Sequence, residues 1–243
     1  MTRSNAVSPL FELASMTAMQ KDVSLQLSAL CPFRTLAEYA QMGIWRSSAC
    51  DSEFPDVELM EGQFVLRREF RKNFGYVVAT AEVMTVLAGL LREMGPVLDA
   101  GCGSGYLSKE LARLGVITFA VDWCDFGQAR PSAQGYPINA VYQRDALGDA
   151  AAYVSARFGA VLLTWPPYGQ PFALRVAQAM LPGQWLVYEG EDAGGCTADD
   201  AFFDFMADSR LWESLPDASC RLNAVHVTLD TLHDHWKVWK RLA

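Results

Sequence analysis

Val97-Leu98-Asp99-Ala100-Gly101-Cys102-Gly103-Ser104-Gly105-Tyr106 is the stretch that decides the fold. Four residues, apolar except for Asp99, read as a buried strand, and the glycines after them mark a turn whose backbone a ligand can approach where side chains would clash. The helix that opens there carries Leu107, Leu111 and Leu114 at helical spacing, and its first N–H groups have no partners inside the helix. In loops that bind a dinucleotide pyrophosphate, the third glycine comes three residues after the second. Here that position is Tyr106, and the third glycine is Gly105. Asp99, just ahead of the turn, repels pyrophosphate and suits an ammonium, so the loop favours a cationic or zwitterionic ligand.

Outward from this turn the chain alternates in the manner of βα units. Upstream, Thr80 is placed to cap a helix in which Val83, Met84, Leu87, Leu90 and Leu91 share one face, with Glu82 at its positive end and Gly95-Pro96 as its stop. Downstream, buried strands are expected at residues 116–122, around Ala140 to Tyr142, at Ala160 to Thr164 and at Trp185 to Gly190. Strands this apolar are covered on both faces, as in a parallel sheet. Two alternating segments, Leu222 to Leu229 and His235 to Arg241, predict an antiparallel pair at the sheet edge. The expected fold is therefore α/β, a Rossmann-like doubly wound and mostly parallel sheet with an antiparallel C-terminal edge. Residues 1–75 are weakly patterned and read as a helical extension or lid, and 76–243 as the ligand-binding domain.

Composition narrows the function. The chain has 243 residues, 51% hydrophobic and 20% charged, with a formal net charge of −8 that repels phosphate backbones and anionic membranes. The six cysteines (Cys31, Cys50, Cys102, Cys124, Cys196, Cys220) form no CxxC pair, so no metal site is expected and reduced thiols in a cytoplasmic protein are the plain reading. No secretory signal is evident, and the greasiest run, Tyr76 to Leu91, falls short of the ~20 apolar residues that a membrane span needs.

The strand ending in Asp99 and the Gly101, Gly103, Gly105 spacing resemble the first motif of the class I S-adenosylmethionine-dependent methyltransferases. The resemblance extends to Asp122 at the end of the second strand, Asp145-Ala146 after the third, and Thr164-Trp165-Pro166-Pro167-Tyr168 at the end of the fourth. It implies S-adenosyl-L-methionine as cofactor and S-adenosyl-L-homocysteine as product. The implied cofactor residues are Tyr76, Asp99, Ala100, Gly101, Cys102, Gly103, Gly105, Tyr106, Asp122 (for the ribose hydroxyls), Trp123 (against the adenine), Asp145, Ala146 and Trp165.

In amino-methyltransferases of this kind a polar residue precedes Pro-Pro-Tyr, and its side chain and the first proline's carbonyl orient the target amino group. Trp165 stands there instead, and indole is a donor only. The Pro166 carbonyl and the Tyr168 ring remain. The chain looks closer to a set of methyltransferase-like proteins with a WPPY segment. Its other strings are Tyr188-Glu189-Gly190-Glu191 with Gly194-Gly195-Cys196-Thr197, and His233-Asp234 with Val238-Trp239-Lys240. Glu189 and Glu191 leave the carboxyl end of the fifth strand, where such sheets build their sites, and are candidates to meet a substrate amine. His226 is read as a packed residue, His233 and His235 as turn residues, and Arg67, Arg68, Arg71 and Lys72 as a charged helical face. The expected function is methylation of a small molecule, at nitrogen, with nucleic acid disfavoured as a partner. A nucleic-acid or protein methyltransferase and a noncatalytic nucleoside-binding protein are the alternatives.

Overall fold

The computed structural model describes residues 75–103, 105–123, 140–142, 150–229 and 232–243. The expected helical extension, the arginine and lysine face at 67–72, and Asp145-Ala146 lie outside the described residues.

The helix α1 (Ala81–Met94) starts where Thr80 caps it, the threonine side chain accepting from the Val83 N–H at 3.1 Å. It leads into β1 (Val97–Ala100), α2 (Tyr106–Arg113), β2 (Thr118–Trp123) and β3 (Ala140–Tyr142). A 3-10 turn over Ala150–Tyr153 precedes β4 (Ala160–Thr164), α3 (Phe172–Ala179), β5 (Trp185–Gly190) and α4 (Asp200–Met206). The chain closes with β6 (Trp212–Ser214), α5 (Pro216–Asn223) and β7 (His235–Arg241).

Seven strands form one sheet in the order β3-β2-β1-β4-β5-β7-β6. All pairings from β3 to β5 are parallel, and β7 runs antiparallel to both β5 and β6. Successive strand residues point to opposite faces, so β5 sends Val187 to one core and Leu186 and Tyr188 to the other. The first core joins Leu87 and Leu91 of α1, Leu107 and Leu111 of α2, and Leu222 of α5 to Val97, Leu162 and Trp236. The second joins Val176 of α3 and Phe202 of α4 to Leu98, Val161 and Tyr188. The result is the Rossmann-like, doubly wound architecture with an antiparallel edge.

One edge element departs from expectation. Leu222 to Leu229 is not a strand: Leu222 and Asn223 end α5, and a connection follows that is buried from His226 to Leu229. The antiparallel partner of β7 is Trp212–Ser214 instead. The alternation around His226 is one of sequence and not of burial: the connection packs into the core, burying His226, Val227, Thr228 and Leu229 together.

Strand order reverses between β1 and β4, which leave the sheet in different directions after their carboxyl ends. Open α/β sheets form their ligand crevice at such a point. Here it lies between the glycine turn after β1 and the Trp165 to Tyr168 segment after β4.

Candidate functional site

The glycine turn demands its sequence. Gly101, Gly103 and Gly105 have φ of 78°, 58° and 76°, a left-handed region that costs a residue with a side chain roughly 1–2 kcal/mol. At Gly101 a Cβ would also lie 3.0 Å from the Phe172 ring. The turn is pinned from β2, where the Val121 carbonyl accepts from the N–H groups of Gly101 (2.9 Å) and Cys102 (3.0 Å). The Gly103 N–H donates to the carboxylate of Asp122. Asp122, expected to meet ribose hydroxyls, is thus positioned against the loop itself.

Asp99 is 1% exposed and accepts a 2.7 Å hydrogen bond from Ser108 Oγ at its Oδ2, while its Oδ1 is buried with no hydrogen-bond partner. Burial, with a smaller push from the Asp122 charge, raises its carboxyl to about 7. Burial and the charges of Asp99 and Asp122 likewise push the Cys102 thiol far up, so it stays protonated and is no nucleophile. Ala100, 1% exposed, packs beneath the turn in the second core, and Trp123 ends β2.

Tyr106 behaves differently from its expected role. Its ring is in the first core, and its hydroxyl donates to Val77 O (3.2 Å) and accepts from Ala79 N (3.3 Å). It ties α2 to the segment before α1 and turns its polar tip away from the loop.

On the other side of the crevice, Trp165 adopts a left-handed φ of 46° and stacks on Tyr76, with ring centroids 4.5 Å apart and planes 14° off parallel. The rest of the segment pairs with another of the chain's signature strings. Pro167 bridges Thr197, the Pro166 carbonyl accepts from Ala198 N (3.0 Å), and Ala198 O accepts from Gly169 N (3.1 Å). The Pro166 carbonyl therefore has one lone pair committed within the protein. Tyr168 stands out of this ladder with its side chain two-thirds in solvent.

The two glutamates at the carboxyl end of β5 separate sharply. Glu191 is engaged within the protein: its Oε2 accepts from Cys196 N (2.6 Å) and its Oε1 from His233 N (3.0 Å), so the carboxylate ties two loops together. Thr197 supports it, sharing its hydroxyl with Tyr188 Oη (2.7 Å) and accepting from Glu191 N (2.9 Å). The WPPY, YEGE, GGCT and HD strings thus occur together because they bond to one another. Asp192 continues the series, paired with Lys237 and lying 3.4 Å from His235 Nε2. His235 begins β7 and is no turn residue.

Glu189 is fully buried, opposite Thr164 in the β4–β5 register, and on the Val187 face of the strand. It belongs to a cluster that patterning did not reveal: one oxygen each of Glu189 and Asp234 and a ring nitrogen of His226 lie within 4.8 Å of one another. His226 Nε2 is 3.3 Å from Asp234 Oδ2 and 3.9 Å from Glu189 Oε1. Thr228 donates its hydroxyl to Asp234 Oδ1. Two negative charges this close repel by roughly 3 kcal/mol or more at an effective dielectric of 20, so both carboxyls do not ionise together.

Burial, reinforced by the charge of Asp234, holds Glu189 well above the carboxylate range. Burial acts on Asp234 in the same direction, but its polar neighbours Glu189, His226 and Thr228 outweigh it and keep that carboxyl at about 2. The indole N–H of Trp165 also acts on the Glu189 carboxyl, although it sits outside good hydrogen-bond geometry and leaves Nε1 short of a full partner.

A metal fits this cluster poorly. Trp236 Nε1–H donates to His226 Nδ1 at 3.1 Å, and indole cannot accept. With Nδ1 accepting, the neutral ring carries its hydrogen on Nε2, the nitrogen that faces both carboxyls. That nitrogen then has no lone pair for an ion.

No protein-family model matches the chain, and no curated protein matches it. The chain is similar in part to several solved structures. An rRNA methylase from Streptococcus thermophilus is 16% identical, with 66% of this chain and 94% of that one covered and a TM-score of 0.39. The CcbJ methyltransferase from Streptomyces caelestis is 17% identical over 67% of this chain and 90% of that one, with a TM-score of 0.42. A precorrin-6y C5,15-methyltransferase from Geobacter metallireducens is 14% identical over 69% and 91%, with a TM-score of 0.41.

Proposed function

We propose that the chain is an S-adenosylmethionine-dependent methyltransferase of a small molecule, with nitrogen as the acceptor atom and the cytoplasm as its place of action. The observation that carries this reading is the cradle at the end of β1. Three left-handed glycines bare the backbone there, and below them Asp99 keeps one buried oxygen unpartnered. An ammonium on the ligand supplies the partner that this oxygen lacks, and such a contact stabilises the charged carboxylate. Asp122, beside the same turn, supplies acceptors for vicinal hydroxyls. The residues present therefore fit the amino-acid and ribose ends of S-adenosylmethionine.

When bound, that cofactor supplies a methyl group already activated on a sulfonium and leaves as S-adenosylhomocysteine. The chain's task is then alignment and exclusion of water, which in well-oriented intramolecular cases is worth about 7–11 kcal/mol. The stacked Tyr76 and Trp165 wall one side of the crevice, and the exposed ring of Tyr168 offers a face to a flat acceptor. The Pro166 carbonyl has a second lone pair for an acceptor N–H. A net charge of −8 favours a small molecule over a polyanion.

A second reading, nucleoside binding without transfer, draws support from Trp165 in place of a polar residue and from the engaged carboxylate of Glu191. Calorimetry with S-adenosylhomocysteine, followed by incubation of the intact chain with methyl-labelled cofactor and a panel of amines, separates the two. Heat with label transfer supports the enzyme, and heat without transfer to any acceptor supports the second reading. No heat rejects both.

A further inference from the structure

We propose that Glu189 and Asp234 hold a single proton between them, and that Glu189, as the acid of this pair, positions Trp165 at the acceptor side of the crevice. The positioning role rests on the crevice taking a methyl acceptor, whereas the shared proton does not.

The argument begins with what surrounds the two carboxyls. Glu189 Oε1 and Oε2 and Asp234 Oδ2 are all buried, and none has a conventional donor in hydrogen-bonding geometry among the described residues. Carboxylates do not persist in that condition, because a buried charge without donors costs far more than a neutral acid. A proton on one of the two groups cures the defect, turning two acceptors into a donor and an acceptor.

The neighbours decide which group keeps it. Asp234 accepts from Thr228 at its carboxylate, and His226 Nε2, which carries the ring hydrogen because Trp236 donates to the opposite nitrogen, donates to the Asp234 main-chain oxygen at 3.1 Å and lies 3.3 Å from Oδ2. One hydroxyl donor and the N–H edge of an imidazole therefore face the Asp234 carboxyl and favour its charge. Glu189 faces Asp234, the more distant edge of His226, the indole of Trp165 and, just past the end of its strand, Glu191. None of these is a cation, so Asp234 is the carboxylate and Glu189 the acid.

A protonated Glu189 has a job that an ionised one would do at much greater cost. Its O–H binds Asp234 while its carbonyl oxygen remains for the Trp165 indole, and the Trp165 N–H already donates to the Glu189 main-chain oxygen at 2.8 Å. Both ends of Trp165 are thus steered by one residue of the adjoining strand, at a position where φ is left-handed and must be held. The wiring runs from Trp165 through Glu189, Asp234 and His226 to Trp236, linking the end of β4 to β7.

The test starts on the unaltered protein. Carbon-13 NMR of glutamate-labelled chain, with Glu189 assigned by its loss in E189Q, should show a protonated carboxyl at pH 7. An ionised Glu189 overturns the proposal. Denaturant unfolding of wild type and E189Q between pH 5 and 8 gives a second readout. The unfolded acid ionises near its ordinary value while the folded one does not. The folding constant of E189Q relative to wild type should therefore rise about tenfold per pH unit until the folded acid itself ionises. A flat ratio refutes the shared proton.

For the positioning role, the indole N–H resonance of Trp165, assigned with W165F, should move in E189A and return toward its wild-type place in E189Q. An unmoved resonance in E189A overturns that role. None of these readouts depends on methyl transfer. Failure to bind S-adenosylhomocysteine would retire the proposed activity and leave the shared proton standing, and an ionised Glu189 would do the reverse.

Discussion

Replacing Asp99 by asparagine tests the cradle where stability and binding pull in opposite directions. Burial raises the Asp99 carboxyl from 3.8 to about 7, with the nearby charge of Asp122 adding to the effect. A shift of about 3 units corresponds to roughly 4 kcal/mol of disfavour for the charged form. The unfolded chain releases this proton near pH 4 and the folded chain only near 7. Stability due to Asp99 is therefore fully present below about pH 4, falls as pH rises toward 7, and is level above that. Asparagine keeps an oxygen for the Ser108 hydroxyl and never ionises. D99N should match wild type at pH 4 and exceed it by up to about 4 kcal/mol at pH 8. Its affinity for S-adenosylhomocysteine should nevertheless drop, because the ligand ammonium loses its carboxylate. Guanidinium unfolding at both pH values and calorimetry at pH 8 check the two halves. A stability difference that does not change with pH would refute the buried-acid argument, and wild-type affinity in D99N would refute the cradle.

Three other expectations follow from the site. G103D places a side chain where the fold has open space, so it should fold at a cost of about 1–2 kcal/mol for the left-handed backbone. It should lose S-adenosylhomocysteine binding by calorimetry, and retained binding would move the ligand elsewhere. T197V removes a hydroxyl shared by Tyr188 and Glu191 and should cost about 1–3 kcal/mol in denaturant unfolding. A neutral result would mean that the loop is not held as described. E191A frees the Cys196 and His233 N–H groups, so their amide exchange should accelerate, and unchanged protection at both would contradict the tie.

What was legible in the sequence was local. The Thr80 cap, the left-handed glycines and the apolar strands each follow from residues within a few positions, and each appears at its expected place. Trp212–Ser214 was not legible, because two of its three residues are exposed and only pairing with β7 makes it a strand. The expected strand at Leu222 to Leu229 shows the converse, since a buried helix end and connection can carry alternating residue types without pairing to a strand. Tyr106 and Glu191 have internal roles that the sequence does not announce, for a shared reason: their polar atoms are used by backbone groups that no spacing rule identifies. The Glu189, His226 and Asp234 cluster was missed because its members come from three separate segments. The available hint was a histidine and a threonine inside an otherwise apolar run, which must find polar company when buried.

The placement of β7 between β5 and β6 has a consequence for how the chain is made. The strand β6 leaves the ribosome first, yet its one neighbour in the sheet is β7, synthesised later. Until His235–Arg241 arrives, the whole flank of β5 stands open, with Leu186, Val187 and Tyr188 ready to zip onto any passing extended peptide. A nascent chain stalled before Trp236 is thus a sticky half-sheet, and chaperone demand during translation should peak in that short interval.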